Sequence, residues 1–353
     1  MTKPGAKPYL TTRNIEPENQ ETPIHFLRSD TIDYPYFYKR NHFPYPALTA
    51  LHYFLPIIGL VDSPVLFSLR DIMNMPSKTI KAVLECSGNK RNLFEPKVFG
   101  EQWEKGAISQ GTWKGVSLKT LLAASGIREE AAEVVIEGHD FGERKDLDNV
   151  YAYARSLPLN KALHPDTIIA YEYNGRPIPF KHGYPLRLIV PGWYAMASVK
   201  WIKQITFIDS KFAGPFQTID YVYYPNKTND EQAFPVTGIH VNSTIQKPLN
   251  MEILNTGTNV IKGIAWTGKG RITRVGISFD KGETWVDTEL KNEHNAEYQW
   301  VSWSFTWFVT EKGEYTIMTR AADSCRRVQP MTPFWNRKGY GYNAIDTIKV
   351  KVE

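Results

Sequence analysis

Within seven positions the run Glu85-Cys86-Ser87-Gly88-Asn89-Lys90-Arg91 combines a thiol, the residues of a tight turn and two adjacent cations. The thiolate is the form of cysteine that ligates metals and attacks electrophiles, and nearby Lys or Arg lowers the pKa that controls it. Lys90 and Arg91 are therefore expected to favour a charged sulfur at Cys86. The competing reading is an ordinary buried small hydrophobe. The apolar stretch 80–84 reads as a short strand, so the thiol stands where strand gives way to loop, a usual mounting for chemistry.

Other polar groups are grouped in the same way. Arg40, Asn41 and His42 are consecutive and held between aromatics and prolines, either an anchored surface loop or a rigid donor cluster for a polyanionic ligand. His182, Arg187 and Lys200 lie within twenty positions, beside Gly and Pro turns, and favour a phosphate or carboxylate pocket. Arg187 opens an apolar run that reads as a buried strand, where a charge needs a paired anion. Asp140 closes Gly138-His139-Asp140 at the expected end of a strand over 133–137. Gln217-Thr-Ile-Asp220-Tyr221 sits in a loop rich in Pro, Gly and Tyr.

The elements that must position these groups divide the chain in two, as its 353 residues allow. Residues 1–242 read as a mixed α+β domain, with 1–35 an extended arm. Leu118, Leu121 and Leu122 share one helical face over 117–126, with Ser117 to cap the start and Gly126 to close the end. In 243–353 short alternating runs follow one another at 249–254, 260–266, 272–279, 285–290, 300–308 and 314–321. Hairpins are expected at Asp280-Lys-Gly282 and Glu311-Lys-Gly313. Such a series without helices predicts an immunoglobulin-like β-sandwich.

A net charge of +5, with Lys and Arg scattered, argues against nucleic acid, whose binders gather cations on one face. A small anion needs only a few local cations. Two cysteines give no disulfide framework, and no segment is apolar enough to span a bilayer. The chain as written reads as cytoplasmic, and as periplasmic if a leader has been removed. Cys325 reads as structural, because nothing near it has metal-site spacing.

Taken in order, these segments resemble the sulfite oxidase family of molybdenum enzymes over nearly the whole chain, in its bacterial form without a haem domain. The run from Phe37 through Tyr38 to His42 is similar to the family's Arg-Asn-His loop on the molybdopterin. Cys86-Ser-Gly-Asn-Lys-Arg91 resembles its Cys-x-Gly-Asn-x-Arg, in which the cysteine binds molybdenum. Gly138-His-Asp140, His182-Gly-Tyr-Pro-Leu-Arg187, Val190-Pro-Gly192 and Ser198-Val199-Lys200-Trp201 match the cofactor-holding segments, and Gln217 to Tyr221 resembles the segment of the active-site tyrosine.

The resemblance implies molybdenum bound by one molybdopterin and the Cys86 thiolate. It implies oxidation of sulfite to sulfate, with Arg40 and Arg91 on the anion and Tyr221 donating a hydrogen bond. Tyr38, Arg40, Asn41, His42, Asp140, His182, Arg187, Ser198, Val199 and Lys200 are implied around the cofactor, and the sandwich is implied to form a homodimer. Two positions depart from the pattern. The substrate arginine of Trp-Asn-x-Arg-Gly falls on Lys338, which lacks arginine's planar two-point grip. Ala197-Ser198 stands where the family has an arginine before Val-Lys-Trp. No His-Pro-Gly-Gly haem segment occurs, so electrons are expected to pass to an external acceptor such as a cytochrome. Reduction of an S-oxide or nitrate by the same cofactor, and a non-catalytic binding protein, are the competing functions.

Overall fold

The computed structural model describes residues 9–291 and 296–353. The fold is mostly β-sheet. Among the described residues the α-helices are Leu69–Asn74, Leu118–Ala123 and Leu159–Ala162, none longer than six residues. The helical share expected of an α+β domain is therefore small. Leu118, Leu121 and Leu122 do bury one face together, but Ser117 makes no side-chain capping bond and its hydroxyl is buried without a partner. The helix is held by packing rather than by its cap.

Two sheets frame the first part of the chain. One runs Arg176–Pro177, Ile168–Tyr173, Ile108–Ser117, Ser77–Glu85, with Arg187–Ile189 also paired to Ile168–Tyr173. The other runs Val65–Ser68, Phe54–Gly59, Ile202–Ile208, Glu133–Arg144, Asn149–Pro158. Alternation makes one face of each apolar: Val83 and Val116 from the first meet Leu55, Ile57, Ile136 and Ile205 from the second in one core. The opposite face of the first sheet carries Ile80, Ala82, Leu84, Trp113 and Ile189 and packs beneath Phe37 and Tyr38.

Glu133–Arg144 differs from expectation in a way that matters. The strand does not end before Asp140; its register with Asn149–Pro158 slips between Glu137 and Phe141. Gly138 to Asp140 form a bulge that turns Asp140 inward. A Cβ on Gly138 would stand 2.5 Å from Asp140 Oδ1 and 2.8 Å from the Lys200 carbonyl, so only glycine fits.

In the second part, Asn242–Lys247, Gly257–Trp266, Val301–Val309 and Glu289–Lys291 form one sheet. Glu252–Leu254, Asp346–Val352, Gly313–Asp323, Ile272–Ser278 and Val286–Asp287 form the other. Ile245, Ile261, Val301 and Trp303 of the first face Ile272, Ile277, Ile317 and Ile348 of the second. Asp280-Lys-Gly282 is a hairpin as expected, with Lys281 and Gly282 both at positive φ. Residues 311–313 are not: they cross from one sheet to the other, because the strands on either side pair elsewhere. Residues 9–35 are also more built than an extended arm. Thr11–Asn14 and Asn19–Glu21 pair as a hairpin, and Asn19, Glu21 and Thr22 are buried.

The two parts meet through glycines at the Pro191-Gly192 turn. A Cβ on Gly268 would stand 2.3 Å from the Gly192 carbonyl oxygen and 2.7 Å from the Ile239 amide nitrogen. Backbone cannot yield as a side chain can, so Gly268→Ala should lower stability by about 1–3 kcal/mol, the usual cost of overpacking. Chemical denaturation of wild type and variant measures it.

Candidate active site

Ser77–Glu85 places Ile80, Ala82 and Leu84 on one face, and Cys86 is the next position of that face. A turn follows at once: the Asn89 amide donates to the Cys86 carbonyl at 2.9 Å, and Lys90 adopts a φ of 64°. That left-handed conformation sends Lys90 away from the sulfur. Its Nζ donates to Asn242 Oδ1 and to the Ser243 carbonyl, both at 2.8 Å. Glu85, on the other side of Cys86, accepts from Trp266 Nε1 at 2.8 Å and from Asn89 Nδ2 at 3.0 Å. The residues flanking the thiol thus tie it to the second part of the chain.

The expected thiolate bias from Lys90 is accordingly corrected. The cations that act on Cys86 are Arg40 and Arg91, and burial outweighs them, so the thiol is held above its ordinary pKa. A bound metal reverses that balance by supplying the missing positive charge.

Cys86 lines a cavity together with Tyr38, Arg40, Asn41, His42, Asp140, His182, Arg187, Ser198, Lys200 and Tyr221. Arg40 Nη2 lies 3.3 Å from both ring nitrogens of His42, and His42 Nε2 is 2.7 Å from the Tyr221 hydroxyl. Burial, then Arg40, keeps His42 far below its usual pKa and hence neutral, while burial raises Tyr221 well above its own. Asn41 is clamped from three sides: its amide nitrogen donates to Asn19 Oδ1 at 2.7 Å, its Nδ2 to the Glu18 carbonyl at 2.6 Å, and its Oδ1 accepts from Lys200 Nζ. Arg187 Nη1 donates to the His182 carbonyl at 3.1 Å, but its Nε is buried without a partner. Asp140 Oδ1 and Ser87 Oγ are orphaned likewise.

Three predicted residues do not line the cavity. Val199 packs in the core, its carbonyl accepting from the Leu188 amide at 2.9 Å. Arg91 stacks 4.9 Å from the Tyr340 ring and donates to the carbonyls of Lys338, Gly339 and Glu101. Lys338 turns to the Ile219 carbonyl at 2.5 Å and to Asp220 Oδ1 at 3.7 Å. Ser198 lines the cavity but spends its oxygen on the Val190 amide at 3.1 Å. Lining residues outside the predicted set include Lys39, Lys181, Tyr153 and Met196. Lys39 and Lys181 adjoin recognised residues and were within reach. Tyr153 lies on a strand whose pairing the sequence does not disclose.

Five cations line this space against one carboxylate, Asp140. Glu18, behind the wall, reaches Lys39 at 3.5 Å and Lys181 at 2.8 Å, whereas Arg40 and Arg187 have no ion pair among the described residues. Such a wall, with unmet donors and one thiol, fits an anionic heterocyclic cofactor that brings a thiophilic metal. Among the described residues no group of three His, Cys, Asp or Glu could hold a metal.

Residues 42–216 match the oxidoreductase molybdopterin binding domain and residues 234–353 the Mo-co oxidoreductase dimerisation domain. Mitochondrial sulfite oxidase of Rattus norvegicus is 33% identical over 369 residues, spanning 99% of this chain and 67% of that protein. This chain belongs to the sulfite oxidase family. Sulfite oxidase of Arabidopsis thaliana is 31% identical over 96% of this chain and 92% of its own length. The crystal structure of the sulfane dehydrogenase SoxCD from Paracoccus pantotrophus superposes with a TM-score of 0.83 at 26% identity, over 98% of this chain and 90% of that one. As a member of the family the chain is a molybdopterin oxidoreductase, and the Cys86 cavity fits its molybdenum cofactor. No helix among the described residues is long and apolar enough to cross a membrane.

Asp140 and Lys200, opposite charges that act on each other through space, give this cavity a pH signature. Burial pushes Asp140 up to about 6 and brings Lys200 down to about 7. A raised carboxylate contributes stability at low pH that is lost as pH climbs to its folded pKa, and a lowered lysine regains stability above its own. The contribution of these two groups to the stability of the cofactor-free protein should therefore fall between about pH 4 and 6 and recover above about pH 7. Thermal unfolding against pH should show a trough that is shallower in the Asp140→Asn, Lys200→Met double variant, the part that remains coming from Glu85, raised to about 7, and Lys90, lowered to about 8.

Proposed function

We propose that this chain oxidises sulfite to sulfate and passes the two electrons to an external one-electron carrier such as a cytochrome. The observation that carries the reading is the cavity itself, a single thiol beside Arg40 and Arg187, neither of which has a carboxylate partner among the described residues. Cys86 would hold the molybdenum centre, which when bound would supply the oxygen-atom transfer and electron-accepting chemistry. The remaining roles belong to the chain. Arg40 grips the anion, with Arg91 adding long-range positive potential at the sulfur. Tyr221, protonated because burial raises its pKa, donates to the substrate while neutral His42 fixes its hydroxyl at 2.7 Å.

Around the cofactor, Arg187, His182, Lys200 and Asn41 supply donors, Tyr38 and the aromatics beneath it exclude water, and Asp140 offers an acceptor. Ser198 and Val199 act through the main chain they hold. Residues 1–242 form the catalytic unit in this reading. Residues 243–353 form an immunoglobulin-like sandwich that joins two copies, in keeping with the dimerisation domain matched there.

Steady-state assays with sulfite and a dye acceptor, run beside nitrate and sulfoxide reduction, test the proposal. Sulfite should be the substrate turned over. Cys86→Ser should abolish that turnover with an unchanged circular dichroism spectrum. Arg40→Gln should raise the KM for sulfite about tenfold or more, charged hydrogen bonds being worth about 1.5–3 kcal/mol. Lys338→Arg, at a position already engaged by Asp220, should leave KM within about twofold, as for exposed ion pairs generally.

A further inference from the structure

Arg155 is a buried cation that the roles above leave unused. It lies on Asn149–Pro158 two residues beyond Tyr153, on the same strand face, and Tyr153 lines the cavity. It is 1% exposed. Its guanidinium carbon stands 5.5 Å from the ring of Tyr221, another cavity residue. Among the described residues it makes one hydrogen bond, from Nη1 to the Phe216 carbonyl, and Nε is buried without a partner. No carboxylate pairs with it there. Its neighbours fare differently: Arg144 Nη1 meets Asp220 Oδ2 at 2.8 Å, and Lys338 lies 3.7 Å from Asp220 Oδ1. Asp220 thus pairs with the two cations at the rim and, among the described residues, makes no ion pair with the inner one.

A charge taken out of water without a partner is costly, and it persists where a ligand supplies the missing anion. We propose that Arg155 is a second arginine contact for the oxyanion substrate, closing on it beside Arg40 from the Tyr221 side and holding the charge that Lys338 does not present. The proposal rests on sulfite being the substrate. Arginine's planar fork can hold two oxygen atoms of one anion, which a lysine at the same place cannot do.

Arg155→Gln removes the charge but keeps a donor for the Phe216 carbonyl, and Arg155→Lys keeps the charge but not the fork. In holoenzyme, the KM for sulfite should rise about tenfold or more in the Gln variant, with a smaller change in kcat and a partial return in the Lys variant. Inhibition by the product, sulfate, should weaken in parallel, and the rise in melting temperature that added sulfate gives the wild type should be lost. A residue that only holds the Phe216 turn would change the melting temperature in buffer while leaving KM and the sulfate-induced rise as in wild type; that result overturns the proposal. If the Gln variant does not fold, a wild-type KM in the Lys variant overturns it equally. Should the wild type fail to oxidise sulfite, the substrate reading falls. The sulfate-induced rise, kept or lost on Arg155→Gln, then decides the role of Arg155 separately.

Discussion

Burying arginine and lysine without enough carboxylate is the constraint on which this structure turns. Arg40, Arg187 and Lys200 line one space, Arg155 is buried against the ring of Tyr221 at its wall, and among the described residues Asp140 is the only acidic side chain lining it. Left alone, such groups work against folding, since desolvation penalises each charge and leaves buried donors unmet. Burial is the main reason that His42, His182 and Lys200 have lowered pKa values. The same imbalance makes the space selective: an anion that enters gains every unmet donor at once, in surroundings where charge is poorly screened. Cofactor and substrate are both anions, so one electrostatic device serves both.

The scaffold keeps these charges apart and aimed. Glu85 and Lys90 fasten the Cys86 turn to Trp266 and Asn242 across the molecule, so the thiol cannot shift without disturbing both parts of the chain. The bulge at Gly138 to Asp140 brings in the acceptor that tempers Lys200. The hairpin of residues 11–21, joined to the wall through Asn19 and Asn41, holds the Arg40 loop from outside. Each device uses backbone geometry to orient a charged or thiol group, which is what precise placement of a cofactor requires.

Much of the site was legible because its residues act in short contiguous runs: Arg40-Asn41-His42, the Cys86 turn, His182 to Arg187. Their order along the chain carried the family. What escaped reading depends on conformation or on partners distant in sequence. Nothing beside Lys90 announces a left-handed φ, so its direction was misjudged. The register slip before Asp140 concerns the pairing of two strands, not a pattern within one. Arg155 is a lone arginine in an alternating strand, and only the turn at Phe216 folding over it shows that it is buried. In the second part, alternation found most strands but missed Asn242–Lys247, whose Asn242, Ser243 and Thr244 are buried polar residues. The crossing at 311–313 has a hairpin's composition, yet sheet membership is settled by the partners on either side.

The central claim is that the cavity holds more positive charge than Glu18 and Asp140 balance, and that an anionic molybdenum cofactor supplies the remainder. Calorimetric unfolding of the chain prepared with the cofactor, beside the chain from a host unable to make molybdopterin, tests this most directly. A ligand present at about a thousand times its dissociation constant adds about 4 kcal/mol. At about 2–4 °C per kcal/mol for a chain of this size or somewhat smaller, the loaded protein should unfold about 10 °C higher. Coincident transitions, from protein shown by metal analysis to differ in molybdenum content, would contradict it.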